Sequence, residues 1–101
     1  MKELEIGPKT AFTRFPAEVV LERDYYFLFE EDGAFKLISR TCPHAGYTVE
    51  LEDGDLVCPL HGWTFESYTG RCHNVPGARL DMYAVVERDG VLIAQLTYPT
   101  R

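Results

Sequence analysis

Three Asp-Gly pairs constrain the fold of this chain more than any other feature of its sequence. Strand-like residues flank each pair, and the pairs are Asp32-Gly33, Asp53-Gly54 and Asp89-Gly90. Asp-Gly between two runs of β-branched and aromatic residues is a strong signal for a β-hairpin, because both residues of its tight turn adopt positive φ. The sequence therefore predicts three hairpins, which join residues 25–29 to 35–39, 48–51 to 55–57, and 84–87 to 91–96.

The remaining pattern is typical of an all-β protein. No segment sustains an apolar period of 3.6 residues over three turns, and β-branched and aromatic residues dominate the apolar runs. The chain has 101 residues, of which 46% are apolar, and we expect one domain, residues 1–101, built as an all-β sandwich or small barrel. The segment from about residue 40 to 75 is rich in Gly, Pro, Cys and His, which predicts a loop-built subdomain carried on the sheets.

The charge and hydropathy of the chain argue against several classes of partner. Ten Lys and Arg against sixteen Asp and Glu give a net charge of -6, which disfavours nucleic acid and favours basic protein surfaces. The longest apolar run, residues 25–29, is far too short to span a membrane, and Glu3 and Glu5 stand where a secretory apolar segment would lie. We therefore expect a soluble, cytoplasmic protein that binds neither nucleic acid nor membrane.

Most of the soft metal ligands fall in two short segments, Cys42-Pro43-His44 and Cys58-Pro59-Leu60-His61, with thirteen residues between them. Two thiolates and two imidazoles suit zinc, copper or iron-sulfur chemistry. A single residue separates Cys42 from His44, whereas paired ligands of structural zinc are usually about two to four residues apart. The short gap is comfortable if the two side chains bind two different metal ions, as in a two-iron cluster.

These residues resemble a known family. Cys-Pro-His followed by Cys-Pro-Leu-His-Gly-Trp, with Phe65 and the turn Tyr68-Thr69-Gly70 after it, is similar to the Rieske [2Fe-2S] domain in its ferredoxin and oxygenase branch. The resemblance covers nearly the whole chain. It implies a Rieske-like antiparallel β-sandwich whose loop-built subdomain binds one [2Fe-2S] cluster.

The resemblance also implies the cluster ligands. Cys42 and Cys58 would bind one iron, and His44 and His61 would bind the other. Since the imidazoles are neutral, the potential should exceed that of an all-cysteine cluster. Two small residues beside the histidines would let backbone N–H groups approach the cluster sulfurs, and these are Gly46 and Gly62.

Differences from the respiratory branch predict how the cluster is tuned. That branch carries an extra cysteine in each ligand loop and hydroxyl donors near the cluster, where this chain has Trp63 and Phe65. A potential near the bottom of the Rieske range is therefore expected. The spacer is shorter than the family usually shows, with the deletion near residues 50–53. Cys72 and His73 are predicted to be a buried structural thiol and a surface histidine, outside the site.

The resemblance implies an electron carrier and not an enzyme. After His44 and His61 only His73 remains, so the chain cannot supply the two histidines of an oxygenase's catalytic iron, and it has no Gly-x-Gly-x-x-Gly fingerprint. We expect a ferredoxin that takes one electron from an NAD(P)H-dependent flavoprotein reductase and passes it to a terminal oxygenase or another acceptor. The alternatives are a Rieske subunit of a larger respiratory or nitrite-reducing oxidoreductase, and a structural zinc module.

Overall fold

The computed structural model describes residues 2–43, 46–60 and 62–100. Within these residues the chain forms two antiparallel sheets, of six strands in the order β1-β9-β8-β4-β3-β2 and of three strands in the order β5-β6-β7. This confirms the predicted all-β class. The strands are β1 (Glu3–Pro8), β2 (Ala17–Leu21), β3 (Asp24–Glu31), β4 (Ala34–Ser39), β5 (Glu50–Glu52), β6 (Asp55–Val57), β7 (Thr64–Phe65), β8 (Met82–Arg88) and β9 (Val91–Thr100).

The three predicted hairpins are present, and each turns through its Asp-Gly pair. In the first turn φ is 52° at Asp32 and 82° at Gly33, and the other two pairs have similar positive values. The predicted strand at 48–51 begins later, at Glu50, because Thr48 pairs with Thr41 across the first cysteine loop and not with β6. The short spacer between the cysteine loops is therefore one tight hairpin.

A fourth hairpin joins β2 to β3, and no pattern in the sequence predicted it. Its turn residues are Glu22, with φ of 49°, and Arg23, with φ of 73°. Neither residue type favours positive φ, so the turn gave no sequence signal. An ion pair between Lys2 and Glu22 links this turn to the start of the chain.

Strands β3 and β4 of the six-stranded sheet are buried on both faces, which explains the apolar run in β3. Phe27 and Phe29 point into one core, and Tyr26 and Leu28 point into a second core on the opposite face. This alternation follows from the two-residue period of a strand. The first core lies against the cysteine loops and consists of Phe27, Phe29, Ile38, Cys42, Val49, Leu56, Cys58, Phe65, Cys72 and Leu80. The second consists of Val19, Tyr26, Leu28, Leu37, Leu92 and Ala94.

Among the described residues, no helix is long and apolar enough to cross a membrane.

Candidate metal centre

The first cysteine loop follows β4 and is closed by backbone hydrogen bonds. The Cys42 N–H donates to the Tyr47 carbonyl at 2.7 Å, and the Gly46 N–H donates to the Cys42 carbonyl at 2.8 Å. Outside these bonds, Thr41 pairs with Thr48 in an isolated bridge. The first cysteine loop is thus the closed end of a narrow hairpin, and Cys42 is the first residue of the loop.

The second cysteine loop repeats this arrangement. The Cys58 N–H donates to the Trp63 carbonyl at 2.8 Å, and the Gly62 N–H donates to the Cys58 carbonyl at 3.0 Å. Its stem belongs to the small sheet, where Val57 pairs with Thr64. Both loops therefore have the same closure: the backbone of the cysteine forms hydrogen bonds with the fourth and fifth residues after it.

The glycines of the two loops have the same backbone conformation, with φ of 72° at both Gly46 and Gly62. This is the left-handed region, which glycine enters without the steric strain that a side chain adds. Their N–H groups donate to the cysteine carbonyls, so these two donors close the loops. Other backbone N–H groups of the two loops are therefore the ones that we predict to approach the cluster sulfurs.

The two loop cysteines lie in one core. Cys42 is 1% exposed and Cys58 is 0% exposed, both belong to the first core, and neither forms a disulfide among the described residues. A buried thiol is not available to water, and a thiolate there needs a compensating cation. Two such thiols, each at the start of a matched loop, form a donor set suited to a soft metal or an iron-sulfur cluster.

The two predicted histidine ligands, His44 and His61, lie outside the described residues. Within the described part of the chain, no group of three or more His, Cys, Asp or Glu side chains could bind a metal ion. The structure thus brings together Cys42 and Cys58 from the predicted set, and the complete set of four stays a prediction.

Exposed apolar side chains border the two cysteine loops. Tyr47 in the first loop is 50% exposed and Leu60 in the second is 43% exposed, whereas Trp63 is partly buried and packs against the first core. A cleft of about 360 Å³ lies beside the first loop and is lined by residues that include Pro43 and Gly77. The surface around the loops therefore offers apolar contact area to another protein.

The third cysteine, Cys72, is buried, as the sequence predicted for a structural thiol. Cys72 is buried in the first core, whereas His73 is exposed and its Nε2 is 3.6 Å from Asp55 Oδ1.

The adjacent turn is stabilised by Glu66, which accepts a hydrogen bond of 2.8 Å from the Thr69 hydroxyl. This bond, with the charge of Arg71, lowers the pKa of the Glu66 carboxyl.

Sequence reasoning missed one buried charge next to the site. Arg40 is 6% exposed and lies two residues before Cys42. Its carboxylate partners are Glu18 and Glu50. These partners are distant in sequence and come together only in the folded sheet, so no local pattern identifies Arg40 as buried.

A family model and a curated relative each match most of this chain. A family model described as the Rieske [2Fe-2S] domain matches residues 2–90. The oxygenase subunit of 3-chlorobenzoate-3,4-dioxygenase from Comamonas testosteroni is 34% identical over 81 residues, which are 76% of this chain and 17% of that protein. The chain spans less than a fifth of the length of the curated relatives it matches.

Two solved structures share the fold at low sequence identity. The cyanobacterial plasma membrane Rieske protein PetC3 from Synechocystis PCC 6803 aligns with a TM-score of 0.71 and 20% identity, over 91% of this chain and 98% of that chain. A chain from a complex of reduced oxygenase and oxidized ferredoxin in carbazole 1,9a-dioxygenase aligns with a TM-score of 0.68 and 17% identity, over 98% of this chain and 96% of that chain.

Proposed function

Because this chain belongs to the Rieske [2Fe-2S] domain family, we propose that it is a ferredoxin that carries one electron at a time from a reductase to a terminal oxygenase. As a member of that family the chain carries a [2Fe-2S] cluster and acts in electron transfer within an oxidoreductase system. The cluster, when bound, accepts one electron and gives it up again. The steps that follow concern the residues that bind it and the partners it serves.

The proposed ligands are Cys42 and Cys58 for one iron, and His44 and His61 for the other. The observation that carries this assignment is the matched closure of the two loops, each of which begins with a buried cysteine of the same core. Each loop then contributes one thiolate and one imidazole. The third cysteine lies outside both loops, which supports leaving it out of the set.

The proposed electron path leaves the protein at the tips of the two loops. Tyr47, at the base of the first loop, and Leu60, in the second loop, are exposed and supply apolar contact area, and the net charge of -6 would attract a basic surface. In this proposal the electron donor is an NAD(P)H-dependent flavoprotein reductase, the acceptor is a terminal oxygenase, and the protein works in the cytoplasm. The fold shared with a chain of an oxygenase and ferredoxin complex supports the choice of partner.

A second candidate is a Rieske subunit that stays bound to a larger oxidoreductase. It is favoured by the fold shared with a putative nitrite reductase NADPH (small subunit) oxidoreductase protein, which aligns with a TM-score of 0.62 and 17% identity over 94% of this chain and 99% of that chain. Size-exclusion chromatography and co-purification of the native protein separate the two candidates. A free ferredoxin elutes alone, whereas a subunit co-elutes with its enzyme.

Visible absorption and EPR spectra of the dithionite-reduced protein test the cluster and its ligands. We expect the spectra of a histidine-ligated two-iron cluster in the wild type and their loss in Cys42→Ser, Cys58→Ser, His44→Ala and His61→Ala. Cys72→Ser is the matched control, since it changes a buried cysteine of the same core that we place outside the site. A colourless protein that contains zinc, or a Cys72→Ser variant that alone loses the spectra, would contradict the assignment.

Electron transfer is tested by mixing the purified protein with an NADH-dependent flavoprotein reductase and following bleaching of the cluster absorption. We expect reduction by one electron per chain, followed by reoxidation on addition of a Rieske oxygenase and its substrate. If the reductase reduces the protein but no oxygenase reoxidises it, the proposed acceptor is wrong.

A further inference from the structure

Arg40 is a buried cation in the stem of the first cysteine loop. Its side chain is 7% exposed, and the residue lies between the end of β4 and Cys42. A buried guanidinium is costly unless each of its faces and edges has a partner. Arg40 has a hydrogen-bond acceptor at each of its three guanidinium nitrogens and an aromatic ring against one face.

The three nitrogens of the guanidinium join two separate parts of the chain. Nε donates to the Val49 carbonyl at 3.0 Å, Nη1 donates to Glu18 Oε1 at 2.8 Å, and Nη2 donates to Glu50 Oε2 at 3.1 Å. Glu18 belongs to β2 of the large sheet, whereas Val49 and Glu50 belong to the return side of the first loop. The side chain therefore connects the loop to the sheet below it.

The face of the guanidinium packs on the aromatic core. Its Cζ lies 4.3 Å from the centre of the Phe27 ring, at a distance typical of a cation–π contact. Phe27 belongs to the same core as Cys42 and Cys58. The Arg40 backbone makes two further hydrogen bonds. Its N–H donates to the Tyr25 carbonyl at 3.0 Å, and its carbonyl accepts from the Val49 N–H at 2.7 Å.

The two cysteine loops differ in what supports their stems. The second loop continues β6 and β7, which pair at Leu56 with Phe65 and at Val57 with Thr64. The first loop has the isolated bridge of Thr41 with Thr48 in the same place. Arg40 lies one residue outside that bridge, and its side chain adds to the backbone bond that Val49 N–H makes with its carbonyl.

We propose that Arg40 is a positioning residue for the first ligand loop, which keeps Cys42 in place by binding Val49, Glu18 and Glu50 at once. The proposal rests on the assignment of Cys42 as a cluster ligand. The planar fork of arginine supplies three donor directions in one plane, and the point charge of lysine does not. Positive charge alone is therefore insufficient for this role.

The test compares Arg40→Met and Arg40→Lys with Arg14→Met, which removes an exposed arginine far from both loops in sequence. Each holoprotein is incubated with an excess of iron chelator, and loss of the visible absorption is followed. We expect Arg40→Met to lose iron about ten times faster than the wild type, because loss of groups that orient metal ligands typically costs about ten- to a hundredfold in metal affinity. We expect Arg40→Lys to behave like Arg40→Met, and Arg14→Met like the wild type.

EPR spectra of the reduced variants give a second readout that a loss of global stability does not change. We expect shifted g-values in Arg40→Met at a temperature where its far-UV circular dichroism equals that of the wild type. Wild-type iron release together with wild-type g-values in Arg40→Met would overturn the proposal. Full rescue by Arg40→Lys would also overturn it, because charge alone would then suffice.

A second pair of variants decides the question if Arg40→Met does not fold. Glu50→Ala removes one partner of the guanidinium, and Glu52→Ala removes an exposed carboxylate from the same strand, β5. Faster iron release from Glu50→Ala than from Glu52→Ala supports the role of Arg40, and equal rates overturn it. A wild type without a cluster spectrum would instead contradict the proposed function, so the two failures are distinguishable.

Discussion

At the scale of single residues, Trp63 and Phe65, which follow the second ligand loop, offer no hydroxyl group to a cluster. Neither Trp63 nor Phe65 has a hydroxyl group, and Phe65 is fully buried. Thr64, between them, donates its hydroxyl to Asn74 Oδ1 at 3.2 Å. Hydrogen bonds to the cluster and its ligands raise the potential because they stabilise the added electron, and these residues supply none from a hydroxyl.

We predict a potential near the bottom of the Rieske range of roughly -150 to +300 mV. Protein-film voltammetry measures it directly. Thr64→Val is the matched control, and it should leave the potential unchanged because its hydroxyl already bonds to Asn74. A wild-type potential above about +100 mV would show that another donor acts on the cluster.

Single residues also show how far the site could be predicted. The paired motifs predict Cys42 and Cys58 as ligands because their spacing is local and specific, and the structure places both residues in the first core. The burial of Arg40 could not be predicted, since it depends on Glu18 and Glu50, which are 22 and 10 residues away along the chain. The equal closure of the two loops also becomes visible only in the backbone bonds.

At the scale of elements, an ion pair ties the first strand to the last two. Glu3 in β1 accepts hydrogen bonds from Arg88 Nη1 at 2.7 Å and Nη2 at 2.9 Å, and from Gln95 Nε2 at 3.2 Å. The bond from Arg88, followed by that from Gln95, lowers the pKa of Glu3 to about 2 from its ordinary 4.5. The charged form of Glu3 is therefore favoured in the folded protein.

The lowered pKa of Glu3 predicts a pH-dependent contribution to stability. Because the folded pKa lies below the unfolded one, this contribution is complete above about pH 4.5 and is lost as the pH falls towards 2. We expect Glu3→Gln to lower the melting temperature at neutral pH, by an amount that shrinks in this acidic window. Glu5→Gln, on an exposed position of the same strand, is the control and should change it little. A Glu3→Gln deficit that is constant from neutral pH to pH 2 would contradict the prediction.

The elements that the sequence predicted are those with a local turn signal. The Asp-Gly hairpins were found because the two residue types favour positive φ. The pairing of β2 with β3 was missed because Glu22 and Arg23 adopt that conformation without such a preference. Strand β1 was missed as well, since it pairs with β9 at the other end of the chain and a pairing of that length leaves no local pattern.

At the scale of the whole molecule, the net charge of -6 is the main long-range feature. Acidic residues occupy the Asp-Gly turns of all three predicted hairpins, at Asp32, Asp53 and Asp89. Such a charge raises the rate of encounter with a basic partner, and salt screens it over a Debye length of about 10 Å at 0.1 M.

We therefore predict that the rate of electron transfer to a basic partner falls as ionic strength rises. Stopped-flow measurements with a purified reductase or oxygenase give the rate constant at each salt concentration. Reduction by a small uncharged mediator is the control and should depend little on salt. A partner reaction whose rate is insensitive to ionic strength would mean that charge does not guide the encounter.

The double burial of β3 has a consequence for the integrity of the redox centre. Phe27 and Phe29 line the core that contains the loop cysteines, whereas Tyr26 and Leu28, on the same strand, line the opposite core. Neither core can be hydrated without disturbing the strand that the other core requires. Loss of the cluster and unfolding of the protein are therefore coupled. A destabilising substitution in the second core, on the face of the large sheet away from the loops, can thus release iron.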